Sequence, residues 1–164
     1  MPNVIDYRDV TIHRNSLITL KHIDLKVGQG EFVYIIGKVG SGKSSLLKSF
    51  YADVPVASGS ARVLDYDLSS IRSRDIPYLR RQIGIVFQDF RLLTDRSAED
   101  NLRFVLRATG WTDRAEIDER ISDVLKSVGM ENKKYKKPHE LSGGEQQRIV
   151  IARALLNKPP LILA

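Results

Sequence analysis

Eight consecutive residues, Gly37-Lys38-Val39-Gly40-Ser41-Gly42-Lys43-Ser44, fit the spacing G-x-x-x-x-G-K-[ST] of a phosphate-binding loop. The residue types suit that chemistry. Glycines let the backbone fold tightly and turn several N–H groups toward one anionic oxygen. A helix that starts there adds its positive end. Lys43 supplies a point charge for the β- and γ-phosphates, and the Ser44 hydroxyl is placed for Mg²⁺.

A second group is Leu141-Ser142-Gly143-Gly144-Glu145-Gln146-Gln147-Arg148. Ser142 and Glu145 form S-x-x-E, a capping box at a helix start. Two glycines directly after the cap need a further reason, because each costs about 1 kcal/mol relative to alanine inside a helix. Close approach of the backbone to an anion would supply it. The Ser142 hydroxyl can accept from its own helix and still donate to a phosphate. A third candidate is Gln88. The apolar run Ile83-Gly84-Ile85-Val86-Phe87 delivers it at a strand's carboxyl end, where parallel α/β sheets place ligands. Ordinary loop polarity is the other reading of that glutamine.

These groups need elements to hold them. Phe32-Val33-Tyr34-Ile35-Ile36 reads as a buried parallel strand leading into the loop, and Ser44 to Phe50 as the helix leaving it. Before them, residues 1 to about 30 read as β-structure. Val10 and Ile12, then Ile23, Leu25 and Val27, alternate with polar neighbours, and Gly28-Gln29-Gly30 makes a turn. Val54 to Ser60 should turn the chain after the first helix, Ala61 to Leu64 should be a short strand, and Asp65-Tyr66-Asp67 a further turn.

Residues 69–82 and Lys133-Lys134-Tyr135-Lys136-Lys137 are basic and read as solvated surface. Between residues 97 and 137 the pattern is helical. Ser97 caps a helix with acids in its first turn, and Gly110 stops it; Asp113 caps a second, and Gly129 stops that. The helix after Ser142 runs through Ile149, Ala152, Leu155 and Leu156 to Pro159-Pro160, and Leu161 to Ala164 starts another apolar strand.

The 164 residues match one ordinary domain, and 42% hydrophobic content supports a core. No apolar run reaches the length of a membrane span. Met1-Pro2-Asn3-Val4-Ile5-Asp6 lacks the layout of a signal peptide. The absence of cysteine excludes disulfides and thiolate metal sites and agrees with a cytoplasmic setting. The formal charge of +6 suits nucleic acid or an anionic membrane face without selecting either.

A phosphate loop, a glutamine after the next apolar strand, a helical insert and L-S-G-G-E-Q-Q-R occur in that order. The combination resembles the nucleotide-binding domain of ABC ATPases over essentially the whole chain. The resemblance implies an α/β phosphate-loop NTPase core with an N-terminal antiparallel β part and a helical insert, divided as 1–88, 89–140 and 141–164. It implies that Gly37, Lys38, Val39, Gly40, Ser41, Gly42, Lys43, Ser44 and Ser45 hold ATP, with Ser44 and Gln88 at Mg²⁺. It further implies that Leu141, Ser142, Gly143, Gly144, Glu145 and Gln146 face the ATP of an opposite subunit in a head-to-tail homodimer. Family members stack an aromatic residue on adenine. His13 sits nearest that place, and a surface strand histidine is its other reading.

Arg80 to Arg96, with Asp75-Ile76-Pro77-Tyr78-Leu79 before it and Asn157-Lys158-Pro159 later, is similar to cell-division ATP-binding subunits of the FtsE type. That similarity implies an integral-membrane, permease-like partner of the FtsX type. It also implies a place on the cytoplasmic face of the inner membrane and a role in septal cell-wall hydrolysis. ATPases of lipoprotein-release or macrolide-efflux exporters are the nearest alternative. A nucleotide-gated scaffold without hydrolysis is another, and the compact gap from Lys43 to Ser142 speaks against a nucleic-acid partner. The family's Walker B strand runs into Asp-Glu, and Leu161 to Ala164 matches it only up to those acids. The expectation is therefore an incomplete domain with no general base of its own, and negligible hydrolysis by these 164 residues alone.

Overall fold

The alternating apolar residues near the start of the chain form a long hairpin. In the computed structural model, which describes residues 3–14 and 17–164, strand β1 spans Asn3–Arg14 and β2 spans Leu17–Gly28. Met1 and Pro2, part of the stretch read against a signal peptide, lie outside the described residues. The chain forms two units, Met1–Arg80 and Arg81–Ala164.

In the first unit, helix α1 (Lys43–Phe50) follows the glycine loop, then β3 (Val56–Val63), β4 (Tyr66–Asp67) and the short α2 (Ile76–Arg81). The sheet is antiparallel in the order β2-β1-β3-β4. Tyr7, Val10 and Ile12 are fully buried along β1; Val10 and Ile12 alternate, and the irregularity between Tyr7 and Val10 is what lets Tyr7 be buried with them. Helix α1 packs on β1 through Phe50, whose ring meets Tyr7 edge-on at 5.2 Å. Arg80 of α2 donates to the carbonyls of Tyr51 and Ala52 at 2.9 and 3.2 Å, closing the far end of α1.

Three expectations for this unit are corrected. The run Phe32 to Ile36 is not a buried strand: no strand of its unit pairs with it, and Phe32, Tyr34 and Ile36 are 82, 78 and 91% exposed. Hydrophobicity suits a residue for burial, but a parallel strand is buried only when neighbours cover its edges and faces. The expected turn at Val54 to Ser60 is largely strand, because β3 begins at Val56. Its pairing with β1 breaks register between Arg8 and Thr11, where Asp9 has φ 48°. Gly59 lies against that bulge, with φ 92°; a Cβ there would sit 2.3 Å from the Asp9 carbonyl oxygen. Tyr66 and Asp67 pair with β3 as strand, so the turn is confined to Leu64 and Asp65.

The second unit contains a parallel pair, β5 (Ile83–Ile85) and β6 (Leu161–Leu163), and three helices: α3 (Ala98–Ala108), α4 (Arg114–Ser127) and α5 (Gly143–Leu155). The expected caps are present. Ser97 accepts from the Asp100 amide, Asp113 from that of Glu116, and Ser142 from that of Glu145. Gly110 and Gly129 end α3 and α4 at φ 103° and 67°. Leu102, Leu106, Ile117, Ile121, Ile149 and Leu156 form one core between the three helices. Arg120 of α4 donates to the carbonyls of Leu155 and Leu156 at 2.6 and 2.8 Å, serving the end of α5. Asn101, buried in α3, donates to the carbonyls of Leu93, Arg96 and Ser97 and accepts from the Leu93 amide at 2.7 Å, fixing the approach to the helix.

Candidate functional site

In the first unit, candidate site residues lie where the glycine loop meets α1. Gly40 and Gly42 both take left-handed backbone angles, φ 80° and 93°, of the kind from which anion-binding nests are made. A Cβ on Gly37 would lie 2.7 Å from Ser41 Oγ, so the loop closes tightly on itself. Lys43 Nζ donates to the carbonyls of Gly37 and Lys38 at 2.7 and 2.8 Å. An ammonium has three donors, so this leaves one for a further acceptor.

Helix α1 opens on Gly42 with no side-chain cap and no acidic residue in its first turn. Helices α3, α4 and α5 each have both. The amides at the start of α1 thus lack the local acceptor that α3, α4 and α5 provide, and they carry the positive end of the helix. Lys38, Val39 and Ser44 are exposed, whereas Ser45 is buried against the unit's core. The loop is anchored from beneath. Tyr7 and Ser49, both fully buried, share a hydrogen bond of 2.9 Å, and Ser49 also donates to the Leu46 carbonyl. Burial pushes the Tyr7 phenol well above its ordinary range. Tyr7 is therefore a core residue with no face free for stacking. His13 is half-buried near the end of β1, opposite Ile18.

The second unit holds candidate residues of its own. Gln88 is exposed in the turn after β5, as expected. Leu141 is buried, while Ser142, Gly143 and Gly144 stand exposed at the start of α5. The capping box is complete: Ser142 Oγ accepts from the Glu145 amide at 3.3 Å, and the Glu145 carboxylate accepts from the Ser142 amide at 3.0 Å. Gln146 donates to the Leu141 carbonyl at 3.2 Å. A Cβ on Gly143 or Gly144 would meet nothing within 4 Å, and neither residue has positive φ. Nothing among the described residues demands glycine there.

Lys133 escaped the sequence reading, which took it as solvated surface. Its ammonium bonds the Glu145 carboxylate and, with the Ser142 amide, holds that carboxyl below its ordinary value of 4.5. A depressed folded value means stabilisation that is present above pH 4.5 and is lost as pH falls through the folded value. Wild type should therefore melt above Glu145→Gln at neutral pH, and the gap should close as pH falls below the carboxyl's ordinary value of 4.5 and through its lowered folded value. Equal melting points at pH 7 would show that the carboxylate does not serve the cap. Arg153, read only as part of a helical stretch, is the other residue missed. Its sole sequence signal is a basic side chain between two buried alanines.

A glycine loop opening an uncapped helix on a mixed α/β frame defines the phosphate-loop NTPase class. Comparison with known proteins places it further: the model described as ABC transporter matches residues 20–164, and the chain belongs to that family. The chain is 40% identical over 163 residues to the cell division ATP-binding protein FtsE of Streptococcus pneumoniae serotype 2, covering 99% of this chain and 70% of that one. It is 38% identical over 157 residues to the methionine import ATP-binding protein MetN of Xanthomonas campestris pv. campestris, covering 96% of this chain and 47% of that one. Among solved structures, the dimeric post-hydrolysis state of the ATP-binding cassette MJ0796, bound to ADP and Pi, superposes with a TM-score of 0.86. It is 33% identical and covers 98% of this chain and 72% of that one. The family binds ATP, and the fold is that of an ABC ATPase. No helix among the described residues is long and apolar enough to cross a membrane.

Proposed function

We propose that the protein is the ATP-binding and ATP-hydrolysing subunit of an ABC-type membrane complex that couples ATP to cell division. The observation that carries this reading is the contrast at the helix starts. Three helices are capped by side chains, and the one that follows the glycine loop is left open to an anion. Gly37 to Ser45 bind the triphosphate, with Lys43 on its outer phosphates and Ser44 and Gln88 at Mg²⁺. His13 lies under the adenine. Leu141 to Gln146 face the nucleotide held by a second copy, so that ATP joins two subunits head to tail. The bare surface of Gly143 and Gly144 supports that arrangement.

The domain divides functionally into residues 1–88, 89–140 and 141–164. A permease-like partner of the FtsX type, at the cytoplasmic face of the inner membrane, receives the resulting motion and passes it to septal cell-wall hydrolysis. The likeness to a cell division relative supports this role. The likeness to the methionine import relative supports a second reading, in which the subunit drives transport. The membrane protein that co-purifies with the full-length subunit separates the two.

Gly144→Ala tests the shared-nucleotide arrangement with effects of opposite sign. It should stabilise α5 by up to about 1 kcal/mol, because alanine is the better helix former and the new methyl meets nothing inside the chain. It should weaken MgATP-dependent self-association of the full-length protein about tenfold, because the backbone can no longer approach a phosphate so closely. Sedimentation with MgATP reads the second effect. Unchanged association in a stabilised variant would refute the arrangement.

A further inference from the structure

The turn after Gln88 is strained. Phe90 and Arg91 are consecutive non-glycine residues with left-handed angles, φ 57° and 49°. Such residues persist only where their surroundings hold them, and they gather at functional segments. Part of the hold is local. Phe90 N donates to the Phe87 carbonyl at 3.2 Å, and Arg91 Nε reaches the Asp89 carboxylate at 3.0 Å. The rest comes from 62 residues along the chain. Arg153, on α5, donates one guanidinium nitrogen to the Arg91 carbonyl and the other to the Phe90 carbonyl, each at 2.7 Å. Its guanidinium carbon also lies 5.9 Å from the centre of the Phe87 ring, with that of Arg91 at 4.5 Å from the same ring. The fork is half-buried, no carboxylate pairs with it among the described ion pairs, and burial disfavours its charge. A half-buried guanidinium that meets two backbone carbonyls at once gives up part of its hydration to that contact.

We propose that Arg153 is a positioning residue that fixes the Gln88 turn to the helix bearing Ser142. Helix α5 starts at Ser142, so Arg153 stands about 16 Å along a rigid rod from it. The turn carrying Gln88 and the cap carrying Ser142 are thereby held by one element. This inference rests on the reading that both contact nucleotide. A fork is needed because two carbonyls must be met at once, which a lysine ammonium does with less geometric control.

The test uses the full-length protein with MgATP and four variants: Arg153→Met, Arg153→Lys, Gln88→Ala and the double variant Gln88→Ala/Arg153→Met. In Arg153→Met, hydrogen exchange should quicken in the peptide spanning 86–96, while core peptides of α3 and α4 keep their protection. MgATP affinity should stay within about twofold of wild type, and turnover should fall about 10- to 100-fold. The double variant should be no slower than Gln88→Ala alone, because Arg153 acts through that turn. If Arg153→Met fails to fold, Arg153→Lys carries the same measurements, with the same quickened exchange and coupled loss. Unchanged exchange in 86–96, or losses that multiply in the double variant, would overturn the proposal. Turnover that survives Lys43→Ala would instead sink the nucleotide reading, and the exchange result would still decide whether Arg153 holds the turn.

Discussion

Lys43→Ala is expected to weaken MgATP binding to the full-length protein by roughly 10- to 100-fold, the worth of a charge-assisted hydrogen bond of about 1.5–3 kcal/mol. Two losses combine. The ammonium no longer meets the outer phosphates, and the loop loses the cation that ties the Gly37 and Lys38 carbonyls together at 2.7 and 2.8 Å. The fold should survive, because the buried anchor of α1 is the Tyr7–Ser49 bond and Phe50, none of which Lys43 touches in the contacts described. Titration calorimetry with MgATP, alongside a urea melt, separates the two effects. An unchanged dissociation constant would remove the loop from the nucleotide site. Lys43→Arg is expected to bind poorly as well, since a planar fork does not replace a compact ammonium in a tight glycine loop.

The largest effect on stability is expected from Leu106→Ala. Leu106 is fully buried in the core shared by α3, α4 and α5, beside Leu102, Ile117 and Ile149. Truncating such a leucine costs about 2–5 kcal/mol, the lost transfer energy plus the cavity left behind. The urea midpoint should fall with little change in slope. Glu119→Ala, exposed on α4, is the control and should stay within about 0.5 kcal/mol of wild type. A loss below about 1 kcal/mol at Leu106 would mean that the three helices do not share one close-packed core. Because α5 carries the Ser142 cap, loosening this core should also blunt any MgATP-dependent association that depends on the cap's orientation.

The helix starts and stops could be read along the chain because their chemistry is local. Ser97, Asp113 and Ser142 each bond an amide three residues ahead, and Gly110 and Gly129 supply the left-handed residue that ends a helix. The order of loop, glutamine and capped S-G-G segment was legible for the same reason, since each is defined within a few residues. Burial was not legible in the same way. Phe32 to Ile36 has the composition of a core strand and lies exposed, because burial belongs to the neighbours as much as to the residues. Val56 to Ser60 looked like a turn until the bulge at Asp9, some fifty residues earlier, gave Gly59 a strand to pack against.

The amino-acid order by itself thus determined the helix caps, the phosphate-loop spacing and the family resemblance, all of which follow from hydrogen bonds and backbone preferences spanning a handful of positions. Only the tertiary structure decided which apolar runs are covered, where the bulge in β1 sits, and that Arg153 bonds the turn after Gln88. Those depend on contacts between residues tens of positions apart, whose meeting is set by packing and by the entropy of closing long loops rather than by local propensity.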